Sequence, residues 1–120
     1  TGTVRSGLYG EKAKAMGLPL FVPDEKHQAL VMSAIYGPQG VKAGFTTGTC
    51  RDELLEAAKY MVQTHDCNVL ILGCTELPLI VDEGDAEVGG RTVFFIDPTS
   101  ALARRVCQVA RKTIDERGVI

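Results

Sequence analysis

The stretch Val69-Leu70-Ile71-Leu72-Gly73-Cys74-Thr75-Glu76-Leu77-Pro78 decides how the rest of this 120-residue chain is read. Val69 to Leu72 are apolar at consecutive rather than alternate positions, the pattern of a short strand covered by helices on both faces. Upstream, Leu54, Leu55, Ala58, Met61 and Val62 recur at the spacing of one helix face, with Thr49 as cap and Asp52 complementing the dipole. Downstream, Thr92-Val93-Phe94-Phe95-Ile96 is a second continuously apolar strand. Asp97-Pro98 then gives an N-cap and an N1 proline to a helix whose inner face is Ala101, Leu102, Val106, Val109 and Ala110, with Gly118 as its stop. Residues 82–90 are acidic and Gly-rich and read as a surface loop.

Further out, Leu18-Pro19-Leu20-Phe21-Val22 reads as another strand. Asp24 caps a helix carrying His27, Leu30, Val31, Ala34 and Ile35 on one side, and Gly37-Pro38-Gln39-Gly40 stops it. The span from Arg5 to Met16, closed by Gly17, is a weaker helix. Strands alternating with amphipathic helices predict one α/β domain over residues 1–120, a parallel β-sheet layered with α-helices. In such folds ligands sit where strands hand over to helices, here from Gly73 and from Asp97 onward.

Composition narrows the function. With 13 basic against 15 acidic residues the net charge is −2, without the basic excess that nucleic acid or an anionic membrane surface requires. No apolar run approaches the ~18 residues of a membrane helix. At 45 % apolar and 23 % charged the chain is expected to be globular, and folding should leave about 6,300 Å² exposed. None of Cys50, Cys67, Cys74 and Cys107 forms a C-x-x-C pair, and no secretory signal is visible, so reduced thiols and a cytoplasmic location are expected. His65-x-Cys67 is too isolated to be a metal site, and no metal is expected.

Cys74 stands just past a buried strand. Gly73 is expected to let the backbone turn there without a Cβ clash. A helix starting near Thr75 would put the thiol at a positive helix end and lower its pKa, whereas an ionised Glu76 nearby would raise it. Position alone leaves a reactive thiol and a buried cysteine closing a strand equally open.

Gly73-Cys74-Thr75-Glu76-Leu77-Pro78 behind this strand closely resembles the second catalytic signature of the aspartate/glutamate racemase family. Gly2-Thr3, with Ser6, Gly7, Leu8 and Tyr9, resembles the family's mid-protein Gly-Thr segment, and Phe95-Ile96-Asp97-Pro98-Thr99 its final strand-to-helix step. The resemblance implies a cofactor-independent racemase in which one thiolate removes the α-proton of an acidic amino acid and an opposing thiol reprotonates the other face. It implies Cys74 as the second catalytic cysteine. Thr75 and Thr3 are implied as substrate contacts, Ser6 as a weaker one, and Lys42 as the partner of a substrate carboxylate. On its residues alone, Lys42 reads as a solvated side chain. Glu76 would orient or tune the thiol, or simply serve a helix dipole.

Complete family members are about twice as long and built from two similar α/β halves with the site between them. The chain, which opens mid-motif at Thr1, is therefore expected to be the second half, without the first catalytic cysteine and inactive by itself. The strand–helix unit over residues 91–120 is expected to pack on that missing half or on a second chain, giving a homo-oligomer. Glu76-Leu77-Pro78 favours the aspartate branch over glutamate racemases. Hydantoin racemase and maleate isomerase relatives remain as alternatives, as does a non-catalytic α/β ligand-binding domain. A catalytic Cys74 should be alkylated much faster than the other three cysteines.

Overall fold

A computed structural model describes residues 2–117. In chain order the elements are α1 (Gly2–Ser6), α2 (Leu8–Ala15), α3 (Glu25–Tyr36), α4 (Thr49–His65), β1 (Val69–Ile71), β2 (Gly84–Val88), β3 (Arg91–Ile96) and α5 (Pro98–Arg117). Single 3₁₀ turns cover Val41–Ala43 and Leu77–Leu79. The sheet order is β1-β3-β2. β1 runs parallel to β3, with Leu70 opposite Phe95, whereas β2 is antiparallel to β3.

The architecture is mixed α/β. The core lies between one sheet face and the α3–α4 pair. Val93 and Phe95 point into it from β3, Leu54, Ala58 and Val62 from α4, and Ala34 and Ile35 from α3. Phe95 is among the largest fully buried side chains. Two of the expected caps hold α3 and α5 in place. Asp24 accepts the His27 backbone N–H at 2.9 Å, and Asp97 accepts the Thr99 N–H at 3.0 Å and the Ser100 hydroxyl at 2.8 Å.

Several expectations fail for physical reasons. Residues 82–90 are not a loop: Gly84–Val88 pairs with β3, and Gly89 and Gly90, at φ 59° and 80°, make the two-residue turn between them. Positive φ at both central positions is what a tight hairpin turn demands, and Gly supplies it freely. The sheet is therefore mixed rather than wholly parallel.

Residues 18–22 form no strand, because nothing among the described residues pairs with them. Thr49 does not cap α4: Gly48 occupies the cap position without a side-chain bond, and the Thr49 hydroxyl bonds Gln39 instead. The N-terminal helix starts earlier than expected and is broken at Gly7 (φ 65°) into α1 and α2. The stop assigned to Gly118 lies outside the described residues.

Among the described residues, only one face of the sheet is covered. Val69 and Phe94 are partners in register and share the other face, with Ile71 beside them, and all three remain substantially exposed. α5 is tied down at its first turns, where Arg104 meets Glu83 at 2.7 Å and Glu83 also accepts the Asp97 N–H at 2.8 Å. On its other side it presents Leu102 (65 % exposed), Val106 (58 %) and Val109 (48 %) to solvent. The accessible surface is 8088 Å², well above the ~6,300 Å² of a compact monomer this size. The radius of gyration, 16.5 Å against roughly 13.6 Å for a compact chain, shows the same openness. Among the described residues no helix is long and apolar enough to cross a membrane.

Candidate active site

Past β1 the chain does not enter an α-helix. Leu72 N–H bonds the Ile96 carbonyl, extending the β1–β3 ladder by one residue, and the backbone then folds into a turn closed by Leu77 N–H on the Cys74 carbonyl at 3.1 Å. A single 3₁₀ turn follows, so Cys74 has no helix dipole behind it. Gly73 is not required by sterics either. Its φ is not positive, and a Cβ there would meet the Thr3 methyl at an ordinary 3.6 Å. What fixes the turn from outside is Arg51 on α4, whose guanidinium donates to the Ile80 carbonyl at 2.6 Å. Nothing in the sequence marks Arg51 for that role.

Within the turn the side chains converge on one carboxylate. The Cys74 thiol donates to Glu76 Oε2 at 2.7 Å, and the Thr75 hydroxyl donates to the same oxygen at 3.1 Å. Lys42 Nζ lies 2.6 Å from Glu76 Oε1. Lys42 reaches the site from the 3₁₀ turn after α3, and Gly40 makes that approach possible. A Cβ at Gly40 would stand 2.8 Å from the carbonyl oxygens of both Ser33 and Ala34. A side chain at position 40 would push the turn, and Lys42 with it, off α3.

The electrostatics follow from these contacts. Hydrogen bonds from Cys74, Lys42 and Thr75 hold the Glu76 carboxyl down at about 2, so it is ionised across the physiological range. Burial first, and then the bond to anionic Glu76, push the Cys74 thiol above its ordinary value. Glu76 in turn raises Lys42. The resting arrangement is therefore a neutral thiol, a carboxylate and an ammonium in line. Of the two opposing influences on Cys74 read from sequence, the carboxylate prevails because the helix is absent.

Thr3 borders the cluster: its hydroxyl donates to the Gly73 carbonyl at 2.7 Å and joins α1 to the end of β1. Ser6 stands one step back, donating to the Thr3 carbonyl at 3.0 Å. Lys42, Cys74, Thr75 and Glu76 are thus brought into one bonded cluster, Thr3 flanks it, and the Ser6 hydroxyl is engaged within its own helix.

A family model described as Asp/Glu/hydantoin racemase matches residues 1–106. The chain belongs to that family. A relative from Pectobacterium carotovorum subsp. carotovorum, described as an uncharacterized protein in the pnlA 3′ region, is 30 % identical over 108 residues, 90 % of this chain and 67 % of the relative. No solved structure gives a significant match.

In this racemase-family chain the remaining cysteines stand apart from Cys74. Cys50 is fully buried in the core, with its thiol on the Thr47 carbonyl at 3.4 Å. Cys107 is exposed on α5. Cys67 precedes β1, so a strand of roughly 3.3 Å per residue separates it from Cys74 at the other end. Burial raises the Cys67 thiol as well.

Proposed function

We propose that this chain supplies one side of a cofactor-independent racemase site, with Cys74 moving the α-proton of aspartate or glutamate. The observation that carries the reading is the Cys74–Glu76–Lys42 line of contacts at the end of β1. A Cα–H is a very weak acid, so the base that removes it must itself be strong. A thiolate beside an ionised carboxylate is sparsely populated but more basic than a free one, and Brønsted behaviour rewards that basicity. Glu76 raises the thiol's proton affinity, and the Lys42 ammonium offsets one of the two negative charges present while the thiolate exists.

In the step itself the α-proton passes to Cys74 Sγ. The electron pair left on the α-carbon delocalises into the substrate carboxylate. The Lys42 ammonium, 52 % exposed, can meet that carboxylate, and the Thr75 hydroxyl offers a further contact. Inversion needs a proton delivered from the opposite face. None of Cys50, Cys67 and Cys107 is positioned beside Cys74 to deliver it, so the second acid belongs to another part of the working site. The chain alone is expected to exchange the α-proton of one enantiomer without inverting it.

The acidic substrate is favoured by the lysine–carboxylate pair, which a second carboxylate can join in place of water. The test is proton exchange in D₂O, followed by NMR, with aspartate, glutamate, a 5-substituted hydantoin and maleate offered in parallel. Exchange confined to the two amino acids supports the reading. Turnover of hydantoin or maleate alone would move Cys74 to the chemistry of those relatives.

A further inference from the structure

α3 ends at Tyr36, and the way it ends puts a phenol beside the Cys74 turn. Ala34 and Ile35 are buried in the core, so Tyr36, about 100° further round the helix, turns out of it and is 63 % exposed. Gly37 then leaves the helix in an extended conformation, at φ −65° and ψ 169°. A Cβ at Gly37 would lie 2.5 Å from the Ser33 carbonyl oxygen, so a side chain there would shift this exit. With Gly40 packed as closely on Ser33 and Ala34, the 3₁₀ turn over Val41–Ala43 folds back against α3. That return brings Lys42 near Tyr36. Glu76 is the main cause of the raised Lys42 pKa, and the charge that a Tyr36 phenolate would carry adds to it, which places the ring within electrostatic reach of the ammonium. Tyr36 also lines the cavity onto which Thr3, Gly73 and Cys74 open.

The hydroxyls around the site differ in what they have left to give. Thr3 donates to the Gly73 carbonyl, Ser6 to the Thr3 carbonyl and Thr75 to Glu76. A ligand that took any of those protons would break a bond that shapes the turn. The Tyr36 hydroxyl has no hydrogen-bond partner among the described residues, so its proton is free to be donated. Lys42 is also only partly used, because an ammonium has three donors and Glu76 Oε1 takes one. A neutral O–H and a cation side by side suit one carboxylate: the ammonium supplies charge, and the phenol supplies direction. Hydrogen bonds to an ionised acceptor are the stronger kind.

We infer that Tyr36 is a substrate-binding residue, whose hydroxyl donates to the carboxylate that Lys42 holds and so fixes an acidic substrate in front of Cys74. The inference rests on reading this turn as the site for an acidic amino acid. Tyr36 touches the carboxylate and not the α-proton, so its loss acts on binding and leaves the proton transfer alone. The ring itself is kept in Tyr36→Phe, which removes the donor without removing the wall.

The test uses succinate and glutarate, which carry the two carboxylates of aspartate and glutamate but no α-amino group and no stereocentre. Their binding is followed by NMR titration of the chain and of Tyr36→Phe, with Tyr9→Phe, the other tyrosine lining the cavity, as control. Losing one hydrogen bond to a charged group should weaken binding about tenfold in Tyr36→Phe. The thermal unfolding midpoint of that variant and the affinity of Tyr9→Phe should stay unchanged. In α-proton exchange, the half-saturating aspartate concentration should rise by the same factor at an unchanged maximal rate. Undiminished dicarboxylate affinity in Tyr36→Phe, an equal loss in Tyr9→Phe, or no saturable binding by the unsubstituted chain would overturn the assignment. Failure here is distinct from failure of the racemase reading. Dicarboxylate binding that depends on Tyr36, without any α-proton exchange, would keep Tyr36 as a binding residue and sink Cys74 as the base. Exchange by Cys74 with binding indifferent to Tyr36→Phe would do the reverse.

Discussion

Glu76 accepts the Cys74 thiol proton in a 2.7 Å hydrogen bond, and its second oxygen stands 2.6 Å from the Lys42 ammonium. Cys74 and Glu76 sit two positions apart in sequence, on either side of Thr75. A turn, not a helix, brings their side chains together. The consequence is a thiol that is harder to ionise than usual but more basic once ionised, in reach of a cation that a substrate carboxylate can share.

Glu76→Gln should lower the pKa of Cys74. The substitution removes an anion from beside the thiolate and frees Lys42 to approach the sulfur, and both changes favour the ionised form. A shift of one pKa unit multiplies the thiolate fraction by about ten at neutral pH. Iodoacetamide alkylation of Cys74, followed by mass spectrometry against pH, should show the midpoint moving down. An unchanged midpoint would mean that Glu76 does not govern the thiol. In the unsubstituted chain Cys74 should react slowly near neutral pH. On this account the fast alkylation that the sequence reading gave a catalytic Cys74 is not expected.

Stability should depend on pH at both ends through the same cluster. Glu76 is depressed from 4.5 to about 2, so the stability it contributes is fully present above about 4.5 and is lost as the pH falls toward 2. Cys74 is raised above 9.0, so its contribution is present below 9.0 and declines as the pH climbs through the raised value. Lys42→Ala removes one cause of the Glu76 depression and should narrow the acid window. Thermal unfolding midpoints measured from pH 2 to 5 should fall less steeply for that variant. Parallel acid limbs for the two proteins would show that the Lys42–Glu76 contact does not persist in solution.

Association should run through α5. Leu102, Val106 and Val109 lie at i, i+4 and i+7 on one stripe, and among the described residues no other element covers them. An apolar stripe of this kind, together with the bare sheet face at Val69, Ile71 and Phe94, is a large unpartnered surface for a soluble monomer. Light scattering at tens of micromolar should give the mass of at least a dimer. Val106→Glu should return it to a monomer without loss of helix signal in circular dichroism. A monomeric mass for the unsubstituted chain at that concentration would count against α5 as an interface.

Much of this was legible in the sequence, and the misses share a cause. β1, β3, α3, α4 and α5 follow from apolar periodicity, and Asp24 and Asp97 from their capping chemistry, because each signal is local. The strand at residues 18–22 failed because a strand exists only with a neighbour, and pairing is not written in the segment itself. The β2–β3 hairpin could have been found: Gly89-Gly90 between two extended runs is a turn signal, masked by the acidic residues on the outer face of β2. At the site, a motif singled out Cys74, Thr75 and Glu76. The arrival of Lys42 depended on Gly40 packing against α3, and the role of Arg51 on a contact 29 residues away in the chain, which no local pattern announces.

The most direct test of Cys74 as the proton-transfer group is α-proton exchange of L- and D-aspartate and of L- and D-glutamate in D₂O. It is followed by NMR with chiral chromatography of the products, for this chain and its Cys74→Ser variant, with Cys107→Ser as control. The serine hydroxyl is far too weak an acid to be ionised at neutral pH, and the swap changes one atom at the end of a strand, so the fold should be kept. The expected result is exchange of one enantiomer without inversion. Exchange should fall by about 10²–10⁴ in Cys74→Ser and stay unchanged in Cys107→Ser. Exchange that survives Cys74→Ser undiminished, or inversion at an ordinary enzymatic rate by this chain, would contradict a site in which Cys74 is the base and the opposing acid lies elsewhere.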